Sequence, residues 1–388
     1  MIYLDNAATS CPKPPTVVAA VTRTLAEVCA SPGRGAYEPA LEAGRILLKA
    51  RRQLARLLSA RDPSRVVFTL NATHALNLAL KGLLVEGDHV VVSSLEHNAV
   101  WRPLQSLVAK RGIEVTRVPC GRDGETDPAD VIAAIRADTR LVALTHASNV
   151  LGTRLTVEQI GPAVREREKL FLLDAAQTAG SYPIDVEDWA VDLLAVPGHK
   201  GLLGPQGVGA LYVGERTELE TLVEGGTGGN SESQEQPRTL PDRYEAGTPN
   251  TPGIAGLSAG LDLILEEGAA EIGRREVALA DDLRRRLAEI DGVRLYGPGP
   301  GLGAAPVVPV LLPGMSSAEA AFILDRAYGI AVRSGLHCAP EAHRVAGTLN
   351  SGLVRFSLGY FNVQADVDSA VEAVSEIAAK TAARREGP

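Results

Sequence analysis

Between residues 65 and 213, short apolar runs alternate with helical patterns, and no other feature of the 388-residue chain narrows its fold as much. The runs "RVVFT", "HVVVSS", "IEVTRVP", "RLVALTH", "LFLLDAAQ", "DLLAV" and "GALYV" are rich in consecutive apolar residues. Strands of that kind are buried on both faces. Between them, "HALNLALKGLL", "VWRPLQSLVAKR" and "VEQIGPAVREREK" carry apolar residues at helical spacing. The alternation predicts an α/β fold whose large domain has a mainly parallel sheet sandwiched by helices.

In such sheets, ligands sit beyond the carboxyl ends of the strands. Polar residues that follow the apolar runs are therefore site candidates: Asn71 to Thr73, Glu96 and His97, His146 to Asn149, Asp174 to Gln177, and Gly198 to Lys200. The Gly-rich stretch 225–253 is too polar for core, and a helical pattern resumes directly after it, so it reads as a functional or interface loop. "IAGLSAGLDLILEEG" and "EVALADDLRRRLAEI" then read as helices, "VVPVLLP" as a strand and "ADVDSAVEAVSEIAAKTAARR" as a closing amphipathic helix. The expected division is a large domain over 15–258 and a smaller α+β domain over 259–388, joined by segment 1–14.

The formal net charge of -8 disfavours a partner whose phosphates must be neutralised, so no nucleic-acid role is expected. The chain opens on "MIYLDNAAT" without a basic, then apolar, leader, and no apolar run approaches the ~20 residues of a membrane helix; a cytoplasmic location is expected. Cys11, Cys29, Cys120 and Cys338 are scattered without a C-x-x-C, which suggests neither disulfides nor a zinc ribbon. His337, Cys338 and His343 lack a fourth ligand, so no metal is expected.

The chain has seven lysines, and Lys200 stands apart because it follows "DLLAV" within "PGHKGLLGPQG", where glycines let backbone approach a ligand. A desolvated lysine at a strand end is a nucleophile for a carbonyl cofactor; the alternative is a solvated loop lysine. Asp174 ends "LFLLD", a strand too apolar for a surface edge. Its carboxylate needs a cationic or hydrogen-bonding partner, and a protonated pyridine nitrogen qualifies, unless Asp174 merely caps a helix. Thr73 lies at the start of a helical pattern, where a phosphate is favoured; His97 offers a flat ring for stacking; and Gln177 offers an amide donor. Taken together, these candidates point to pyridoxal 5'-phosphate.

The segments "YLDNAAT", "NATHALN", "LEHNAV", "THASNVLGT", "LLDAAQTAG", "GHKGLLGPQGVG", "YEAGTPN", "RSGLHCAP" and "VRFSLGYFN" occur in that order along nearly the whole chain. In them the sequence resembles the cysteine desulfurase and selenocysteine lyase group of class V aminotransferase-like, fold type I pyridoxal-phosphate enzymes. The resemblance implies that Lys200 carries the cofactor as an imine, Asp174 pairs with the pyridine nitrogen and Gln177 contacts the phenolic oxygen. It further implies that His97 stacks on the ring and shares in proton transfer, that Asn149 lies near ring and substrate, and that Thr73 and His199 hold the phosphate. Thr248 matches a threonine that reaches the phosphate of the neighbouring subunit, which implies a homodimer with shared sites. Arg355 matches the arginine that binds the substrate carboxylate, with Arg333 and Arg34 as helpers.

Cys338 falls where this group keeps its sulfur-accepting cysteine. The implied reaction takes L-cysteine to L-alanine and leaves a persulfide on Cys338 for a reductant or an acceptor protein. Selenocysteine is an alternative substrate. Transamination, epimerisation or β-elimination with an incidental Cys338, and a sulfur-relay protein with little turnover, are alternative functions. Some positions depart from the pattern: Pro197 replaces a phosphate-binding serine, His74 a common glutamate and Leu336 a common histidine. The segment after Cys338 is one residue shorter, and 225–244 differ.

Overall fold

The computed structural model describes residues 1–33, 35–227, 232–301 and 303–386. Seven strands form one sheet in the order Val66–Thr69, Gly209–Val213, Leu193–Pro197, Leu170–Asp174, Thr139–Thr145, His89–Ser93, Glu114–Val118. They are the seven apolar runs of the sequence. All run parallel except Gly209–Val213, which is antiparallel to both neighbours.

Successive strand residues point to opposite faces, so a strand with helices on both sides must be apolar at every position. Val91, Val142, Leu144, Phe171 and Leu173 feed one core, shared with Ile160 and Val164 of the helix Val157–Glu166. Val90, Val92, Leu141, Ala143 and Leu172 feed the other, shared with Leu76 and Leu80 of Ala72–Leu83 and with Leu104 and Leu107 of Asn98–Arg111. The doubly covered α/β sheet expected from the sequence is what forms.

A second, antiparallel sheet has the order Arg333–Gly335, Leu353–Ser357, Val307–Leu311, Arg294–Leu295. The helices Ala269–Ala288, Ser317–Tyr328 and Gln364–Glu386 pack on it through Leu283, Leu324 and Val374. The N-terminal strand Ile2–Tyr3 pairs in parallel with Ile330–Ala331, and Leu4 enters the same core. The helix Thr251–Glu267 runs unbroken through residue 258, and Ile254, Leu257, Leu261 and Ile264 all pack in the large-sheet core. Between 225 and 250, no helix or strand occurs among the described residues. Also among the described residues, no helix is long and apolar enough to cross a membrane.

Candidate active site

The parallel strands end on one side of the sheet at Thr69, Ser93, Thr145, Asp174 and Pro197. A cavity of about 220 Å³ opens there. Thr73, His97, Asn149, Asp174, Gln177, His199 and Lys200 line it from the large sheet. Arg333, His337, Cys338 and Arg355 line it from the second sheet and its connections. The cavity thus lies between the two sheets and gathers all but two of the residues expected from the sequence. Thr248 is one exception; it lines a separate surface groove with Leu70 and His74. The other, Arg34, lies outside the described residues.

Asp174 is 4% exposed, and its Oδ1 accepts the N–H of Ala176 at 3.0 Å. A turn follows it rather than a helix, so it caps no helix. Burial raises its pKa, opposed by the Ala176 N–H and by Lys200. Lys200 lies three residues beyond the strand Leu193–Pro197, and its pKa falls from 10.5 to about 8. Burial is the largest cause, Asp174 opposes it, and Arg355 and Arg333 add to it. An amine poised near neutrality is nucleophilic toward a carbonyl.

The carbonyl just before Lys200 is held from one side by the N-terminal segment. His199 O accepts from Thr9 Oγ1 at 3.0 Å, Ser10 N at 3.0 Å, Ser10 Oγ at 3.2 Å and Lys13 Nζ at 2.8 Å. Four donors on one oxygen exceed its two lone pairs, so they share it and fix the peptide that carries Lys200.

His97 is the N-cap of Asn98–Arg111, and its Nδ1 accepts the N–H of Ala99 at 3.0 Å. An accepting Nδ1 places the proton of the neutral ring on Nε2. Burial, with Lys200 next, pushes the pKa of His97 down to about 4, so the ring is neutral at pH 7. Thr73 lies in the first turn of Ala72–Leu83, whose N-cap Asn71 takes the N–H of His74 at 2.9 Å. The unpaired N–H groups of that turn and the helix dipole favour an anion. Gln177 uses one amide hydrogen on Ala7 O at 3.2 Å. Its other amide hydrogen has no partner among the described residues.

Whether pyridoxal phosphate fits these residues is tested by groups left without partners. His199 Nδ1 is buried with no hydrogen-bond partner among the described residues. A buried polar atom in that state calls for a ligand. With the anion-favouring helix end, the buried Asp174 and the amine of Lys200 on the same walls, the residues fit a phosphorylated pyridine aldehyde. Pro197 also lines the cavity and offers it no donor.

Arg355 is 2% exposed. Its Nη2 meets Asp5 Oδ1 at 2.7 Å, its Nη1 donates to Asn149 O at 2.9 Å, and its buried Nε has no partner among the described residues. Arg333 is its cross-strand neighbour. A second cation beside Arg355 enriches the positive potential an anionic substrate meets. Cys338 is exposed at the cavity wall, which excludes a buried structural thiol. His337 and His343 are buried and stack with ring centroids 5.5 Å apart, Nδ1 of His337 lying 3.3 Å from Nε2 of His343. Asn149 does reach the cavity, and its Nδ2 donates to His337 O at 2.6 Å.

The sequence reading gave Asp5 no role, although it stands inside the quoted segment "YLDNAAT". The usable signal was Arg355 itself: an arginine in the apolar strand Leu353–Ser357 needs a carboxylate partner. Glu96 follows the strand His89–Ser93. It is fully buried, accepts Ser93 Oγ at 2.6 Å and Thr145 N at 3.0 Å, and burial pushes its pKa up to about 8.

The family model for class V aminotransferases matches residues 2–370. A probable cysteine desulfurase of Methanothermobacter thermautotrophicus is 37% identical over 384 residues, covering 97% of this chain and 94% of that protein. The cysteine desulfurase of Salmonella typhimurium is 34% identical over 387 residues, covering 97% and 93%. Among solved structures, the apo cysteine desulfurase of Thermococcus onnurineus superposes with a TM-score of 0.92 at 33% identity, over 98% of this chain and 95% of that one. A cysteine desulfurase of Escherichia coli in an S-sulfonic acid form gives 0.88 at 28% identity, over 97% and 94%. The chain belongs to the class V aminotransferase family, in the group that contains the cysteine desulfurases.

Proposed function

We infer that the protein is a pyridoxal-phosphate-dependent cysteine desulfurase that converts L-cysteine to L-alanine and takes the sulfur onto Cys338. One observation carries the reading: an exposed thiol shares a cavity wall with a half-buried amine of lowered pKa and a buried arginine. Relatives of matching length with that name support it.

Bound pyridoxal phosphate supplies an electron sink that makes the Cα–H of an attached amino acid acidic. Lys200 would bind it, Asp174 would hold a proton on its ring nitrogen, and Thr73 and His199 would take its phosphate. Arg355, with its free Nε–H, orients the substrate by its carboxylate, and Arg333 adds positive charge. Lys200 Nζ removes the Cα proton. Cys338, as thiolate, attacks the substrate sulfur; the S–S bond forms as the Cβ–S bond breaks, and the electron pair stays with the substrate carbon. Cβ takes a proton to become the methyl group of alanine, and Cα takes back the proton that Lys200 removed. Cysteine and one thiol thus yield alanine and one persulfide, which balances without an external oxidant, and a thiol reductant or acceptor protein then clears the persulfide. Neutral His97, protonated at Nε2, serves as a flat wall and a hydrogen-bond donor.

We also propose a homodimer in which Thr248, which lines a groove separate from its own subunit's cavity, serves the site of the other subunit. The test of the desulfurase reading is release of alanine and sulfide from L-cysteine, with reductant, by the wild type beside Cys338→Ala. Wild-type release that falls by about 100-fold in the variant supports the reading. Undiminished release by the variant refutes it.

A further inference from the structure

The turn that presents Cys338 is strained. His337 has φ 50° and Cys338 φ 58°, two successive non-glycine residues in the left-handed region. Each such residue costs about 1–2 kcal/mol, and such residues persist only where their surroundings over-determine them. The surroundings here are specific. The carbonyl of Cys338 accepts the N–H of Asn98 at 2.8 Å, and the carbonyl of His337 accepts Asn149 Nδ2 at 2.6 Å. Both donors belong to the large sheet's side of the cavity, at the ends of the strands His89–Ser93 and Thr139–Thr145.

Asn149 is 8% exposed, and both ends of it are engaged. Its side chain holds the thiol turn, while its own backbone carbonyl accepts Arg355 Nη1 at 2.9 Å. Arg355 in turn is anchored on Asp5 at 2.7 Å. A continuous run of polar contacts therefore leads from Asp5 through Arg355 and Asn149 to the peptide that carries Cys338. The backbone of Asn98 pins the same turn from its other carbonyl. His337 adds support of its own, with Nδ1 toward His343 and Nε2 3.3 Å from Arg333 O. Its ring is thus committed inside the turn's own domain, and the only side chain of the large domain hydrogen-bonded to the turn among the described residues is that of Asn149.

We propose that Asn149 is a positioning residue for the Cys338 thiol: its side chain holds the His337–Cys338 turn in the inward conformation and couples that turn to the arginine that takes the substrate carboxylate. The proposal rests on the reading that Cys338 accepts sulfur. It explains how a short, closely tied segment presents a thiol to the cavity: the conformation is preset by contacts across the two sheets. The same arrangement separates two functions within one residue. Replacing the side chain removes the hold on the turn, whereas the carbonyl that Arg355 uses is backbone and stays.

The test is hydrogen exchange of residues 335–339 in the cofactor-free full-length protein, for wild type, Asn149→Ala and Asn149→Asp, together with cysteine turnover by the loaded enzymes. Cofactor-free protein separates a hold on the turn from any contact with the cofactor ring. Loss of the donor frees the turn, and its amides exchange about 10-fold faster in both variants. In the loaded variants, kcat for sulfide release falls by about 10-fold with KM for cysteine little changed, because Arg355 keeps its backbone partner. Asn149→Asp keeps the shape while removing the donor, so it decides the matter if Asn149→Ala fails to fold. Exchange at 335–339 that matches wild type in a folded variant overturns the proposal. Full desulfuration by Cys338→Ala would instead overturn the sulfur-acceptor reading, so the two failures are distinguishable.

Discussion

At the scale of single residues, the site depends on groups whose charge is set by burial. Lys200 has a pKa lowered from 10.5 to about 8. Between those values the folded lysine binds fewer protons than the unfolded one, so the cost of burying its charge is present below pH 8 and fades toward pH 10.5. Lys200→Met in the cofactor-free protein should therefore raise stability by about 2 kcal/mol at pH 7, less than the full shift implies because the cavity is open to water. That advantage should shrink as the pH approaches 10.5. Urea unfolding at a series of pH values checks this, and a difference independent of pH would show that the lysine is not buried as a charge. Lys200, Asp174 and Cys338 were legible in the sequence because each stands next to a recognisable strand or turn signal. Asp5 and the side-chain contact of Asn149 were not. Their partners lie 350 and 188 positions away in the chain, and no local pattern encodes such a pairing.

At the scale of elements, the tightest fits occur where helices meet backbone. In the helix Ala269–Ala288, a Cβ on Gly273 would sit 1.7 Å from Ser181 O. The neighbouring Glu276 is buried beside the same serine, whose hydroxyl it accepts, and burial raises its pKa to about 8. Gly273→Ala must push this helix off the large sheet's connections and should lower the unfolding free energy by about 3 kcal/mol or more. A drop below 1 kcal/mol in denaturant titration would mean the helix moves freely there. The seven sheet strands were readable because burial on both faces forces a continuous apolar run. The 20-residue helix Glu38–Leu57 was not picked out, since Ala40, Ala43, Ala50 and Ala55 supply most of its buried apolar face and alanine gives little hydropathic contrast. The antiparallel setting of Gly209–Val213 was equally silent, because strand direction leaves no mark in the strand's own residues.

At the scale of the whole molecule, Thr248 lines a groove with His74 and Leu70 that is separate from the cavity of its own chain. Leu70 is 61% and Val223 54% exposed at that groove, which suits burial against another copy. If Thr248 serves the partner's site, inactive Lys200→Ala chains mixed with Thr248→Ala chains form hybrids that hold one intact site. Those hybrids should bind the cofactor about 10-fold more tightly at that site than Thr248→Ala homodimers do, as read by cofactor titration of refolded mixtures. No gain in the mixture would place Thr248 outside the partner's site.

The pairing of the first strand with Ile330–Ala331, and of Asp5 with Arg355, has a consequence in time. Residues 2 to 5 wait until residues 330 to 355 have been made before their partners exist. Contacts of such sequence separation form late, because the loop they close must be ordered first. The large sheet, complete by residue 213, is free to take shape while the remainder is still being synthesised. The N-terminal segment is then expected to close over it last, where it anchors Arg355 and grips the peptide before Lys200. A nascent chain that stalls short of residue 355 would own a sheet and a reactive lysine but no means of seating an amino-acid carboxylate. Its chemistry is thereby withheld until residue 355 has been made.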